Sequence, residues 1–197
     1  MSFTEIKTHL GIFRIGIAGA GGLGSNCAIA LARSGIGTLV LADYDVIEES
    51  DLSRQYYFSD QTGMLKTVAL KENISRINPD VFVIIYQTKL DRINIPEIFA
   101  GCDVIVEAFD DSEMKEMLIE TVQIKMPGTP LVTGSGLAGL GNTDSLRCRK
   151  IDETLYICGD ESHKPSDGFP SMAPRVGIVA NMQAHVVIEI LMKMILS

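Results

Sequence analysis

The 197-residue chain is short of basic side chains, with 17 Lys and Arg against 25 Asp and Glu and a formal net charge of −8. A protein that grips a nucleic-acid backbone needs a basic face to release counterions, so that class is excluded, although a local basic site is not. Cysteine is scarce too. Cys27, Cys102, Cys148 and Cys158 show no paired spacing, which argues against a disulfide framework and predicts reduced thiols in a cytoplasm. No secretory leader is expected, because Glu5, Lys7 and His9 interrupt any apolar stretch and no small-residue cleavage pattern follows. Long apolar runs are limited to Val176 to Leu196, which Asn181, Gln183, His185, Glu189 and Lys193 break up. That pattern predicts a core helix and no membrane span. Repeats and low-complexity tracts are absent. What remains, 46% hydrophobic and 21% charged residues, suits a soluble chain with one domain over 1–197 and a substantial core.

The chain is organised around Gly19-Ala20-Gly21-Gly22-Leu23-Gly24-Ser25-Asn26. The apolar run Ile12 to Ala18 leads in and the small residues Cys27 to Ala32 lead out, so the segment reads as strand, tight turn and helix. Glycines at 19, 21 and 24 let the backbone turn sharply, let a phosphate approach the main chain, and let the helix sit close on the strand. The free N–H groups and positive dipole end of the helix then face the phosphates. The spacing fits dinucleotide oxidoreductases equally well, and downstream residues decide. Strand two, Thr38 to Ala42, delivers Asp43 at its carboxyl end, where an acidic residue about 20 positions past such a loop accepts ribose hydroxyls. A long polar connection brings Arg54 and Gln55 toward the cradle. Lys66 falls in the first turn of a helix expected over 62–77. A lysine is unfavourable for the dipole there, which suits an anionic ligand, although surface lysines are common and this position alone decides nothing.

Strands at Val81–Tyr86, Val104–Ala108 and Leu131–Ser135 alternate with helical segments, one of them beginning at Ser112. This alternation predicts an α/β, doubly wound, mostly parallel sheet with a Rossmann-like nucleotide-binding half. Asp110 and Asp111 stand at the carboxyl end of strand four, where open parallel sheets place ligand groups. Such oxygen ligands suit Mg²⁺ held with substrate phosphates, and one of the two also suits a helix cap. Ser145–Ile151 and Leu155–Cys158 predict an antiparallel hairpin around Asp152-Glu153. The Gly134–Gly141 tract predicts a buried or gliding surface, residues 159–174 a polar loop over a site, and Arg175 onward the final helix.

Taken in order, these segments resemble one family. Gly19 to Asn26, Asp43-Tyr44-Asp45-Val46, Asp51-Leu52-Ser53-Arg54-Gln55, Gly63 with Lys66, Ile77-Asn78-Pro79, Phe109-Asp110-Asp111, Val176-Gly177-Ile178 and Gln183-Ala184 are similar to the ThiF/MoeB/HesA adenylating enzymes. That resemblance implies ATP at the glycine loop and attack on its α-phosphate by the C-terminal glycine carboxylate of a small ubiquitin-like sulfur carrier with a Gly-Gly tail. It further implies nucleotide contacts from Gly19, Gly21, Gly22, Gly24, Asn26, Asp43, Asp45, Arg54, Gln55 and Lys66, catalytic roles for Arg54, Lys66 and Asp110, and Mg²⁺ on Asp110. The chain looks like a short thiamine-type member serving the thiazole carrier, a cytoplasmic homodimer. The alternatives are an activator of another carrier in molybdopterin or tRNA modification, or a non-catalytic module binding NAD or a partner.

Departures from the family pattern carry their own expectations. Lys7 and Arg14 are the only basic residues before the glycine loop, which puts an N-terminal arginine contribution in doubt. Relatives commonly bind zinc through two Cys-x-x-Cys pairs, whereas Cys148 and Cys158 stand alone in their region; two thiols cannot close a tetrahedral site, so no zinc is expected. Cys158 is the one candidate for a crossover-loop cysteine, against its reading as an ordinary reduced thiol. Lys115 falls where relatives often carry a basic residue, and reads equally as a solvated charge. The chain stops soon after its last helix, so no rhodanese appendage is expected.

Overall fold

Each short apolar run forms a strand and each periodic stretch a helix in the computed structural model, which describes residues 1–135, 142–161 and 170–196. The Gly136–Gly141 part of the glycine tract and residues 162–169 of the polar loop lie outside the described residues. The elements are α1 (Phe3–Leu10), β1 (Arg14–Ala18), α2 (Gly22–Ser34), β2 (Thr38–Ala42), α3 (Lys66–Ile77), β3 (Phe82–Tyr86), α4 (Asn94–Ile98) and β4 (Val104–Glu107). They continue with α5 (Ser112–Lys125), β5 (Leu131–Ser135), β6 (Arg147–Lys150), β7 (Leu155–Gly159) and α6 (Ala173–Leu196). One seven-stranded sheet has the order β3-β2-β1-β4-β5-β7-β6. All pairs are parallel except β6 on β7, which is the expected doubly wound α/β arrangement with a C-terminal antiparallel hairpin and helix.

The strand period of two sorts the core into two layers. Leu39 and Leu41 face the side covered by α2, α3 and α6, while Val40 and Ala42 face the side covered by α4 and α5. Central strands are therefore buried on both faces. The edge strand β6 is Arg-Cys-Arg-Lys and fully exposed, whereas β7, apolar, sits inside it; charge on an exposed edge discourages further strand pairing. α6 is long and apolar enough to cross a bilayer, yet Val176, Val179, Ala180, Val187 and Leu191 are buried in the core and its main neighbour is α2.

Some boundaries move. β1 begins at Arg14, leaving Ile12 exposed. α2 begins at Gly22, so Gly22, Gly24 and Asn26 already lie in its opening turns. α3 begins at Lys66, four residues later than the pattern suggested, because Leu65 is held extended by a bridge to Val46 and the Lys66 N–H goes to the Asp45 carbonyl. The cysteines also differ from their spacing along the chain. Register sets Cys148 opposite Cys158, with sulfurs 2.9 Å apart, while Cys158 itself is buried and Cys148 exposed.

Candidate active site

The sheet order reverses between β1 and β4, and the carboxyl ends of β1, β2 and β4 open a crevice there, the usual ligand position in such sheets. Two glycines shape it. Gly19 has φ +95° and a side chain on it would press the Ala108 carbonyl at 3.0 Å; a Cβ on Gly24 would lie 1.9 Å from the Gly19 carbonyl oxygen. The first makes the turn and the second lets α2 rest on it. Gly21 differs, since its nearest neighbour would be Gln55 Nε2 at 3.8 Å, so the protein leaves open space at that position. α2 starts at an N-cap glycine without a side-chain cap and without an acidic residue in its first turn. Its free N–H groups and positive end are thus available to an anion.

Asp43, at the end of β2, accepts from the Ala20 N–H (2.6 Å) and the Asp45 N–H (2.8 Å), which ties the glycine turn to the next loop. Burial pushes its carboxyl upward, against those two hydrogen bonds and the Lys66 charge. Tyr57 strengthens the same tie: its hydroxyl donates to the Ala20 carbonyl at 2.6 Å and reaches the Lys66 carbonyl at 3.3 Å.

The 3-10 turn Glu49–Ser53 positions a buried carboxylate, Asp51. It takes the Gln55 amide at 2.6 Å and faces Lys66 Nζ and Arg54, each at 3.7 Å. Lys66 also pairs with Asp45 at 3.3 Å. One aspartate thus holds the neighbouring Arg54 and Gln55 together with Lys66 of the next helix. Gln55 keeps its buried Oε1 without a partner. Asn26 donates to the Gly22 and Arg54 carbonyls, fastening the cation-bearing loop to α2.

At the exit of β4 the two aspartates divide the work. Asp111 caps α5 by accepting from Glu113 and Met114 N–H groups. Asp110 is exposed, and no described residue hydrogen-bonds or ion-pairs with its carboxylate. Beneath them sits Glu107, fully buried, paired with Lys115 and accepting from the Phe109 N–H at 2.7 Å. Lys115 also donates to the Gly134 carbonyl at 2.7 Å, so it is a half-buried tie between strands and not a fully solvated charge. Gln183 of α6 donates to the Glu107 and Val132 carbonyls. Glu107 is not among the expected site residues, though a charged residue inside an apolar parallel strand is itself a signal that a partner must exist.

The structure therefore brings Gly19, Gly21, Gly22, Gly24, Asn26, Asp43, Asp45, Arg54, Gln55 and Lys66 around one end of α2, with Asp110 across the crevice at the β4 end. Asp51, Tyr57, Glu107, Lys115 and Gln183 support them from behind. Cys158 is absent from this group, and its complete burial removes it as an accessible crossover-loop thiol. Among the described residues, no cluster of three or more His, Cys, Asp or Glu side chains forms a metal cage.

A sequence model of a family described as the ThiF family matches residues 4–196. Relatives include "Adenylyltransferase and sulfurtransferase UBA4" of Eremothecium gossypii, 41% identical over 172 residues, or 87% of this chain and 36% of that protein. "Adenylyltransferase and sulfurtransferase MOCS3" of Dictyostelium discoideum is 34% identical over 184 residues, 89% of this chain and 42% of that protein. The chain thus spans about two fifths of the length of these curated relatives. Among solved structures, the E. coli tRNA N6-threonylcarbamoyladenosine dehydratase TcdA in complex with AMP has a TM-score of 0.87 at 21% identity, covering 98% of this chain and 91% of that one. The same E. coli protein in complex with ATP gives 0.86 at 20%, covering 96% and 89%. At these identities the likeness is one of fold.

Proposed function

The chain belongs to the ThiF family, and from that premise we propose that it is an ATP-dependent adenylyltransferase acting on the C-terminal glycine carboxylate of a small ubiquitin-like sulfur carrier. One observation carries the reading: Asp51 gathers Arg54, Gln55 and Lys66 beside the uncapped end of α2. A dinucleotide module has no use for two cations there. A carboxylate attacking a triphosphate does, because like charges repel until phosphate charge is neutralised.

In this reading the carrier carboxylate oxygen bonds to the α-phosphorus, the bond to the β-phosphate oxygen breaks, and pyrophosphate leaves. Arg54 and Lys66 turn from their aspartates toward the phosphates, and the α2 N–H groups bind oxygens at the open Gly21. Asp43 accepts the ribose hydroxyls. Asp110 fits Mg²⁺ as one carboxylate ligand, since its oxygens are exposed and unengaged by described residues, and Mg²⁺ is usually completed by water and substrate phosphates. When bound it supplies charge neutralisation.

The names of the UBA4 and MOCS3 relatives support sulfur carriers as the acceptor class; the thiamine thiazole carrier is one member of that class. The reading includes a cytoplasmic homodimer, checked by light scattering. A carboxylate on a modified tRNA nucleoside is the neighbouring chemistry, and the net charge of −8 weighs against a polyanionic substrate. The test is ATP–pyrophosphate exchange with Mg²⁺ and candidate carriers, each with and without its last glycine. Exchange that requires the intact tail supports the reading. Absence of exchange with every carrier, together with tight NAD binding, overturns it.

A further inference from the structure

Away from the crevice, β6 and β7 bring two thiols together. Directly opposed residues of an antiparallel pair have Cα atoms about 4.5 or 5.5 Å apart, and both spacings lie within the range a disulfide spans. Cys148 and Cys158 are such a pair, and their sulfurs already touch through a 2.9 Å hydrogen bond. The two ends differ in access. Cys158 has no exposed surface, whereas Cys148 stands on the exposed edge strand and borders an open cleft of about 740 Å³ whose walls include Pro174, Ile178, Met182 and His185. Entry is thus through one sulfur and closure through the other.

We propose that Cys148 and Cys158 form a thiol–disulfide exchange site that takes small-molecule disulfides at Cys148 and closes to a cross-strand disulfide. The Cys148 thiolate attacks one sulfur of the incoming disulfide, whose S–S bond breaks and releases one thiol. The mixed disulfide on Cys148 is then attacked by the Cys158 sulfur, its S–S bond breaks, and the Cys158 proton goes with the departing sulfur as the second thiol. Two protein thiols are oxidised and one small disulfide is reduced to two thiols. The roles follow access. The Cys158 thiol also holds Cys148 below its ordinary value, against burial and the Glu189 carboxylate, and Glu189 is itself paired with His185. Cys158 is pushed upward by that hydrogen bond and by burial, which suits the second, intramolecular attack and not the first.

The experiment uses the reduced full-length protein exposed to oxidised glutathione, quenched by alkylation, with intact mass and non-reduced peptide mapping. The expected result is loss of two alkylatable thiols out of the four cysteines, loss of two hydrogens in mass, and a peptide linking 148 to 158. Cys158→Ser should accumulate glutathione on Cys148, and Cys148→Ser should leave the native protein unmodified. A persistent glutathione adduct on wild-type Cys148, a link mapped to the neighbouring buried Cys27, or no modification at all would overturn the proposal. The wild-type map stands whether or not either variant folds.

Discussion

Replacing Lys115 by Met tests the buried tie behind the crevice most sharply. Glu107 is fully buried, and Lys115 keeps 24% of its side chain exposed while holding Glu107 and the Gly134 carbonyl. Methionine preserves the aliphatic stem and removes the charge, leaving a carboxylate in the core with only backbone N–H donors, from Phe109 and Gly134. Removing one partner of a buried pair costs about 3–5 kcal/mol, and the surviving backbone hydrogen bonds with the partial exposure of Lys115 put the expectation at about 3 kcal/mol near neutral pH. The pH dependence follows from the same residue. Burial pushes the Glu107 carboxyl above its ordinary value, with Lys115 the main opposing influence. Removing Lys115 therefore raises it further. With the folded value above the unfolded value of about 4.3, the native state binds the extra proton in the window between them. Stability is then retained below that window and lost as pH rises through the folded value. Lys115→Met should thus be worst near neutrality and approach wild type toward about pH 5. Urea unfolding at both pH values reads it, and a Glu107→Gln partner mutation should recover much of the neutral-pH deficit by removing the buried charge. A deficit below about 0.5 kcal/mol, or one that ignores pH, would refute the reasoning.

Other substitutions separate folding from ligand binding. Gly24→Ala places a methyl against the Gly19 carbonyl backbone and should cost about 3 kcal/mol or more, because no rotamer change relieves it. Gly21→Ala meets only Gln55 at 3.8 Å, so calorimetry should find an unchanged melting point while ATP affinity falls. Arg54→Ala and exposed Asp110→Ala should each lower pyrophosphate exchange by about 10²–10³ with little loss of stability; full exchange in either would sink its assigned role. Asp51→Asn should lower exchange through misplaced cations, by about 10²-fold, and should slow Arg54→Ala far less than it slows wild type.

How much of this was legible depended on whether the signal was local. The strands were, because a continuously apolar run such as Thr38–Ala42 has few alternatives between two turn signals, and the glycine loop was, because strand, turn and helix follow one another. The hairpin was legible as two strands about Asp152-Glu153, but its place was read only from the fold, where apolar Leu-Tyr-Ile-Cys-Gly lies inside the sheet and Arg-Cys-Arg-Lys at its edge. The start of α3 was not, since the bridge from Leu65 to Val46 is a contact and not a periodicity. Asp51 read as one acidic residue among several until the fold set it against Arg54, Gln55 and Lys66. Glu107 and Lys115 are partners across a strand and a helix, and Cys148 and Cys158 across a register, relations that linear spacing does not encode.

The pairing of α6 with α2 has a consequence for how the protein reaches this state. α2 is the second helix in the chain and α6 the last, and they share the most extensive contact between any two described elements. Docking them closes most of the sequence into one loop. The entropy of that closure grows only slowly with length, yet folding rates fall as contacts become more distant in sequence. β1, the glycine turn and β2 meet through near neighbours, and α3 covers part of α2, but the rest of its apolar side stays uncovered until α6 arrives, bringing Val176 against Gly22 and Gln183 to the strand ends. α2 is thus among the first elements synthesised and among the last to be fully covered. An intermediate lacking α6 would present a sticky helix beside an unfinished sheet.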